Sequence, residues 1–140
     1  MRTILTNRQD DILKKSPNCG LPEFREAISR YLARNKDIRI DPSRIIIGSG
    51  AEYLYNLIAG LLGDEIFALE DPSYEKIQRV YGNSNIRYEL LPLGKDGIES
   101  KALERTKASV LHISPFRSFP TGISASASKR HEYIRWADSA

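Results

Sequence analysis

Arg44-Ile45-Ile46-Ile47-Gly48-Ser49-Gly50-Ala51-Glu52-Tyr53-Leu54 decides the fold class. A β-branched run stops at Gly48-Ser49-Gly50, and apolar residues at helical spacing follow: Leu54, Leu57, Ile58, Leu61 and Leu62, closed by Gly63-Asp64. An apolar strand that passes through a glycine turn into an amphipathic helix is the joint of α/β layering. The joint also has a chemical consequence. The first N–H groups of a helix have no partner inside it, so the turn aims free donors and the positive end of the helix dipole at whatever lies above the strand. An anion such as a phosphate suits that place. Taken alone, Gly48-Ser49-Gly50 is equally well a tight turn with no ligand, and it matches neither the P-loop nor the dinucleotide fingerprint.

Upstream, residues 1–20 show no clear period, carry turn formers at Ser16-Pro17-Asn18-Cys19-Gly20, and read as an arm or loop. Pro22 opens a helix with Phe24, Ala27, Ile28, Tyr31 and Leu32 at helical spacing, running to about Arg34. Asp41-Pro42-Ser43 is a turn, and Ile45-Ile46-Ile47 a short buried strand. Downstream, Ile66 to Leu69 is a buried strand; Pro72 starts a helix with Ile77, Val80 and Tyr81 that ends at Gly82-Asn83. Ile86 to Leu91 is a strand, Gly94 to Gly97 a turn, and Ser100 caps a short helix over Ala102 and Leu103. Val110 to Ile113 is a strand, and residues 114–125 form a Pro/Ser/Gly-rich loop. A last helix from near Ser128 to Asp138, capped by Ser126 or Ser128, puts Tyr133, Ile134, Trp136 and Ala137 partly on one side. This alternation predicts an α/β fold, a mainly parallel sheet flanked by helices and buried on both faces. Ligands of open parallel sheets sit beyond the carboxyl ends of the strands, so the loops 48–52, 70–74 and 114–122 are expected to line one crevice.

Composition narrows the classes. The chain of 140 residues can bury one real core, and 41% hydrophobic with 28% charged residues is ordinary for a globular protein. The net charge of +3 is scattered, with no Lys/Arg block to mark a nucleic-acid surface. Cys19 is alone, which excludes an internal disulfide and makes a reducing cytoplasm the expected location. The first residues lack the apolar segment of a signal peptide, and no run has the length to cross a bilayer. His112 reads as a core histidine and His131 as solvent-facing; no metal-ligand spacing occurs.

Glu70-Asp71-Pro72-Ser73-Tyr74, by itself, is a helix start with an acidic first turn. Ser114-Pro115-Phe116-Arg117-Ser118-Phe119-Pro120-Thr121-Gly122 is more pointed: prolines and a glycine fix its backbone, leaving Arg117 and Ser118 as polar heads between two phenylalanines. Together with Gly20-Leu21-Pro22-Glu23-Phe24-Arg25-Glu26-Ala27-Ile28, Asp96-Gly97-Ile98, Lys129-Arg130 and Trp136-Ala137, these segments resemble the fold-type I pyridoxal-phosphate enzymes. More closely, the chain is similar to the aminotransferase-like domain of MocR-type regulators in the GntR superfamily, from roughly Gly20 to Ala137.

The resemblance implies residues 1–20 as an N-terminal arm and residues 21–140 as the first part of the pyridoxal-phosphate-binding large domain. It implies that Gly50, Ala51 and Glu52 hold the cofactor phosphate, that Tyr74 stacks on the pyridine ring, and that Ser118 lies in the loop approaching the ring hydroxyl. Arg117 would bind a ligand carboxylate through its forked guanidinium; it reads equally as a solvated loop charge. The regulators carry a His-Gln pair where this chain has Arg117-Ser118, which leaves a shorter side chain at Ser118. The family's ring-nitrogen acid and Schiff-base lysine are expected beyond Ala140, and a winged helix-turn-helix before Met1. Ser124-Ala125-Ser126-Ala127-Ser128-Lys129 comes too early in the family order to be the lysine segment. No catalytic residue is therefore expected here. The expected role is a non-catalytic piece of a cytoplasmic, dimeric transcription regulator sensing an amine or amino-acid effector, with self-association, no membrane, and DNA reached only through a separate domain. The alternatives are part of a genuine aminotransferase or lyase, or an unrelated α/β module whose glycine turn takes another phosphate ligand.

Overall fold

A computed structural model describes residues 14–139; the part of the expected arm in residues 1–13 lies outside them. The chain divides into two compact units, with the boundary between Ser49 and Gly50.

The first unit contains helix α1 (Pro22–Lys36), two residues longer than its apolar pattern suggests, and a short 3-10 turn at Pro42–Arg44. Proline at the first helical position costs α1 no hydrogen bond, and Asp37 ends it in the left-handed region with its N–H on Leu32 O. Asp41 Oδ1 accepts from Ser43 N at 2.8 Å, which makes the turn. Arg25 and Ser29 tie α1 to the following segment by donating to Pro42 O (3.2 Å) and Ile40 O (2.6 Å). Gly20, at φ +91, lies so close to Ile47 that a Cβ would fall 2.7 Å from the isoleucine Cβ. The expected strand at Ile45-Ile46-Ile47 does not form. Its backbone is extended and Ile47 N bonds to Cys19 O at 3.1 Å, but no ladder partner exists among the described residues. No residue of α1 is fully buried.

The second unit is the layered one. In order it runs α2 (Ala51–Leu61), β1 (Ile66–Asp71), α3 (Glu75–Asn83), β2 (Arg87–Gly94), β3 (Gly97–Ile98), α4 (Ser100–Arg105), β4 (Val110–His112) and α5 (Ala127–Ser139). The sheet order is β3-β2-β1-β4, with β1 parallel to β2 and β4, and β3 turned back antiparallel on β2. Central β1 is buried on both faces. Phe67 and Leu69 pack with Ala59, Ile77, Tyr81 and Ile86 on the side of α2 and α3. Ala68 packs with Leu91, Ile98, Leu103, Ala125 and Tyr133 on the side of α4 and α5. This alternation of one strand between two cores is what the continuous apolar run at Ile66 to Leu69 requires.

Several boundaries differ from the sequence reading. Pro72 follows a cis peptide bond and lies outside α3, which starts at Glu75 with Tyr74 as its extended N-cap. Ser100 is the first residue of α4 rather than its cap; its hydroxyl accepts from Lys129 Nζ at 2.9 Å. The cap of α5 is Ser126, whose Oγ accepts from Lys129 N at 3.1 Å while donating to Asp96. On α5, Tyr133 is buried and Trp136 half-buried, whereas Ile134 and Ala137 are exposed. Among the described residues no helix is long and apolar enough to cross a membrane.

Candidate functional site

The start of α2 is built for an acceptor. Gly50, its N-cap, sits at φ 114 and ψ 172 with no side-chain cap, a conformation that is strained for residues bearing a Cβ. A Cβ added there would meet nothing within 4 Å, so the space above the helix start is open. Gly50, Ala51, Glu52 and Tyr53 are all exposed. In the first turn Leu54 N reaches back to Gly50 O at 3.3 Å; the N–H groups ahead of it are the helix's unpartnered donors.

Lys76 connects this helix start to Tyr74. Its Nζ is 3.3 Å from Glu52 Oε1 and 5.9 Å from the centroid of the Tyr74 ring. Glu52 and Tyr74 together hold the Lys76 ammonium above its usual pKa. The ion pair is exposed, so it is weak and free to rearrange around an incoming charge. Tyr74 in turn meets Phe119 edge-on, at 5.5 Å between centroids and 90° between planes.

Beside Tyr74 opens a cleft of about 490 Å³, lined by Tyr55 of α2, Ile77 of α3, and Ser114, Phe116, Arg117 and Phe119 of the long loop. The expected crevice is thus present for the loops after β1 and β4, while α2 enters it through Tyr55, one turn inside the helix. Arg117 is exposed in the left-handed region at φ 50, and its N–H donates to Ser124 Oγ at 3.0 Å. Ser118 does not line the cleft. It is 2% exposed, and its hydroxyl donates inward to Glu70 Oε2 at 2.6 Å. Burial pushes the Glu70 carboxyl up, partly offset by hydrogen bonds from Ser118 and the Ser114 backbone. Beneath the cleft, Tyr55 stands edge-on to His112 at 4.9 Å, and His112 Nδ1 shares a 2.7 Å hydrogen bond with Tyr81 Oη.

Lys129 is remote in role as well as in sequence order: its ammonium is buried and held by Ser100 Oγ and, at 2.8 Å, by Glu132 Oε2. The cleft itself offers aromatic faces and the Arg117 guanidinium, which suit a flat ligand bearing an anionic group. The helix start is a separate feature: Glu52 and Lys76 line a second hollow with Arg79, Val80 and Asn83.

Residues 2–132 match the family described as aminotransferase class I and II. The chain belongs to that family. Among its curated relatives, the uncharacterized HTH-type transcriptional regulator YhdI of Bacillus subtilis (strain 168) is 24% identical over 84% of this chain and 25% of its own length. The probable aspartate/prephenate aminotransferase of Aquifex aeolicus (strain VF5) is 32% identical over 78% of this chain and 29% of its own length. Regulators and aminotransferases are both among its homologues, and the chain spans about a quarter of the length of the first curated relatives it matches, at 25% each. An archaeal alanine:glyoxylate aminotransferase superposes with a TM-score of 0.90 over 99% of this chain and 36% of that one, at 21% identity. The fold is therefore that of a portion of the fold-type I aminotransferases.

Sequence reasoning did not single out Tyr55, Lys76 or Glu70 in this aminotransferase-family chain. Tyr55 lies one helical turn beyond Ala51, and Lys76 two residues beyond Tyr74, so both were within reach of spacing arguments. Glu70 was signalled only by an acid ending an apolar run, which reads equally as an exposed helix start.

Proposed function

We propose that this chain is the cofactor- and effector-binding part of the aminotransferase-like domain of a MocR-type transcription regulator, and that it binds without catalysing. The observation that supports the reading is the contact chain Glu52–Lys76–Tyr74, which links the open helix start to an aromatic that also lines the Arg117 cleft, with Glu52 and Lys76 themselves lining a separate hollow. Gly50, Ala51 and Glu52 would hold a phosphate dianion through their N–H groups, with Lys76 as the nearby cation. Tyr74 would stack on the pyridine ring, its own tilt fixed by the edge of Phe119. Bound pyridoxal phosphate supplies an aldehyde reactive toward primary amines and an electron-poor ring. Arg117 would receive the carboxylate of an amino-acid effector, and the aromatic walls would exclude water from it. Ser118 serves from behind, through the loop it anchors. The helix-turn-helix in the names of several relatives supports giving DNA contact to a separate domain, and the unit proposed to respond is a dimer. A cytoplasmic location and an arm at residues 1–20 ahead of the domain belong to the same reading.

The second reading, part of a genuine aminotransferase, draws on the similarity to the Aquifex enzyme. Titrating the chain with pyridoxal 5'-phosphate while following backbone amides separates these readings from an unrelated phosphate site. The largest shifts are expected at Gly50, Ala51 and Glu52, and Tyr74→Ala is expected to weaken binding roughly tenfold. Shifts confined to other residues would sink the assignment. Amino-group transfer from an amino acid to a keto acid by the 140-residue chain would favour the enzyme.

A further inference from the structure

Glu70 ends the buried part of β1, four residues before Tyr74, and is 5% exposed. Among the described residues no cation pairs with it. A buried carboxylate without a countercharge is costly, and an apolar side chain would hold that position more cheaply. What the carboxylate does meet is the long loop. Ser118 Oγ donates to it at 2.6 Å, and the nearby Ser114 backbone is among the groups that favour its charged form. The two serines bracket Phe116 and Arg117.

Ser118 is also the knot of that loop. Its N–H donates to Ile123 O at 2.8 Å, and its carbonyl accepts from Gly122 N at 2.6 Å and from Thr121 Oγ1 at 3.1 Å. Its neighbours on either side, Arg117 and Phe119, face the cleft. The strand that carries Glu70 leads directly to Tyr74, against which Phe119 packs. One acid thus ties the two loops that make the cleft.

We infer that Glu70 is a positioning residue: through Ser118 it fixes the 114–122 loop to the end of β1 and sets how Arg117 and Phe119 stand over Tyr74. The pinning is independent of what the cleft binds; its purpose rests on the cofactor-site reading above.

The test uses the 140-residue chain and its variants Ser118→Ala, Ser118→Thr and Glu70→Gln. Amide hydrogen exchange is followed without ligand. Binding of two probes is then measured: pyridoxamine 5'-phosphate, and N-(5'-phosphopyridoxyl)-L-alanine, which adds a carboxylate. Ser118→Ala is expected to speed exchange at Gly122 and Ile123 about tenfold while β1 and β2 amides keep their protection. It should weaken the carboxylate-bearing probe about tenfold and the other by less than about twofold. Ser118→Thr, which keeps the hydroxyl, should restore both. Should Ser118→Ala unfold the chain, Glu70→Gln decides: it keeps the shape but replaces the charge-assisted bond from Ser118 with a weaker neutral one, so exchange at Gly122 and Ile123 is expected to rise. Unchanged loop exchange in the deciding variant overturns the inference, and so does equal weakening of both probes. If the parent chain binds neither probe, the cofactor reading fails, and the exchange measurement still decides the pinning.

Discussion

His112 ends β4 with its ring between Tyr55 and Tyr81 and half-buried. Burial holds its pKa below 6.5, and Tyr81, pushed up to about 12 mainly by burial, keeps its hydroxyl proton throughout the ordinary range. A histidine whose folded pKa lies below its unfolded one favours folding in its neutral form. That contribution is complete above 6.5 and is lost as pH falls through the lower folded value. Stability toward urea should therefore begin to drop as pH goes below 6.5, and His112→Gln should remove the part of the drop nearest that value. A ring titration by NMR with its midpoint at or above 6.5 would contradict this. Glycines give a second residue-scale contrast. At Gly97, φ is 130 and an added Cβ would overlap Tyr133 Oη, which accepts the Ile98 N–H at 2.7 Å. Gly97→Ala should cost about 2–3 kcal/mol, as strain adds to a lost buried hydrogen bond. Gly50→Ala meets only the strain, and should cost about 1 kcal/mol in the same urea titration.

At the scale of elements, what the sequence conveyed was apolar character and spacing, and what it withheld was pairing. Ile66 to Leu69 and Ile45 to Ile47 look alike as runs. The first is a strand because β2 and β4 flank it; the second stays extended and unladdered because no described strand does. The hairpin strand β3, only Gly97–Ile98, is too short to leave a period. Pro72 reads in the sequence as opening a helix, but it lies outside the helix, which starts at Glu75, because whether proline opens a helix or precedes it depends on neighbours that sequence does not place. Tyr74, Arg117 and the glycine turn were legible because each breaks a regular pattern. Ser118 and Glu70 were not, because their partnership joins positions 48 residues apart. Ser126 and Ser128 were indistinguishable as caps until the structure gave Ser126 the bond to Lys129 N. Ser126→Ala should accordingly lower stability by about 1 kcal/mol, while Ser128→Ala, on an exposed position, should change the melting midpoint little.

For the molecule as a whole, two exposed features bear on assembly. β4 closes one end of the sheet as a three-residue strand paired only with β1 among the described strands. On α2, Leu57, Ile58 and Leu61 are 44%, 42% and 81% exposed, a contiguous apolar stripe beside exposed Tyr53. Exposed apolar area and unpaired strand edges both favour self-association, but they differ in how they respond to substitution. The edge is short, so its main-chain groups offer few hydrogen bonds to a partner. The helix stripe offers large side chains whose burial contributes at roughly 25 cal/mol per Å² of apolar area. The stripe should therefore dominate. Sedimentation velocity on the parent chain should show a concentration-dependent dimer, and Leu61→Glu should return it to monomer with its circular dichroism unchanged. A dimer that survives Leu61→Glu and is lost on Leu111→Pro would move the contact to the β4 edge. A parent chain that stays monomeric at the highest attainable concentration would refute association through either surface.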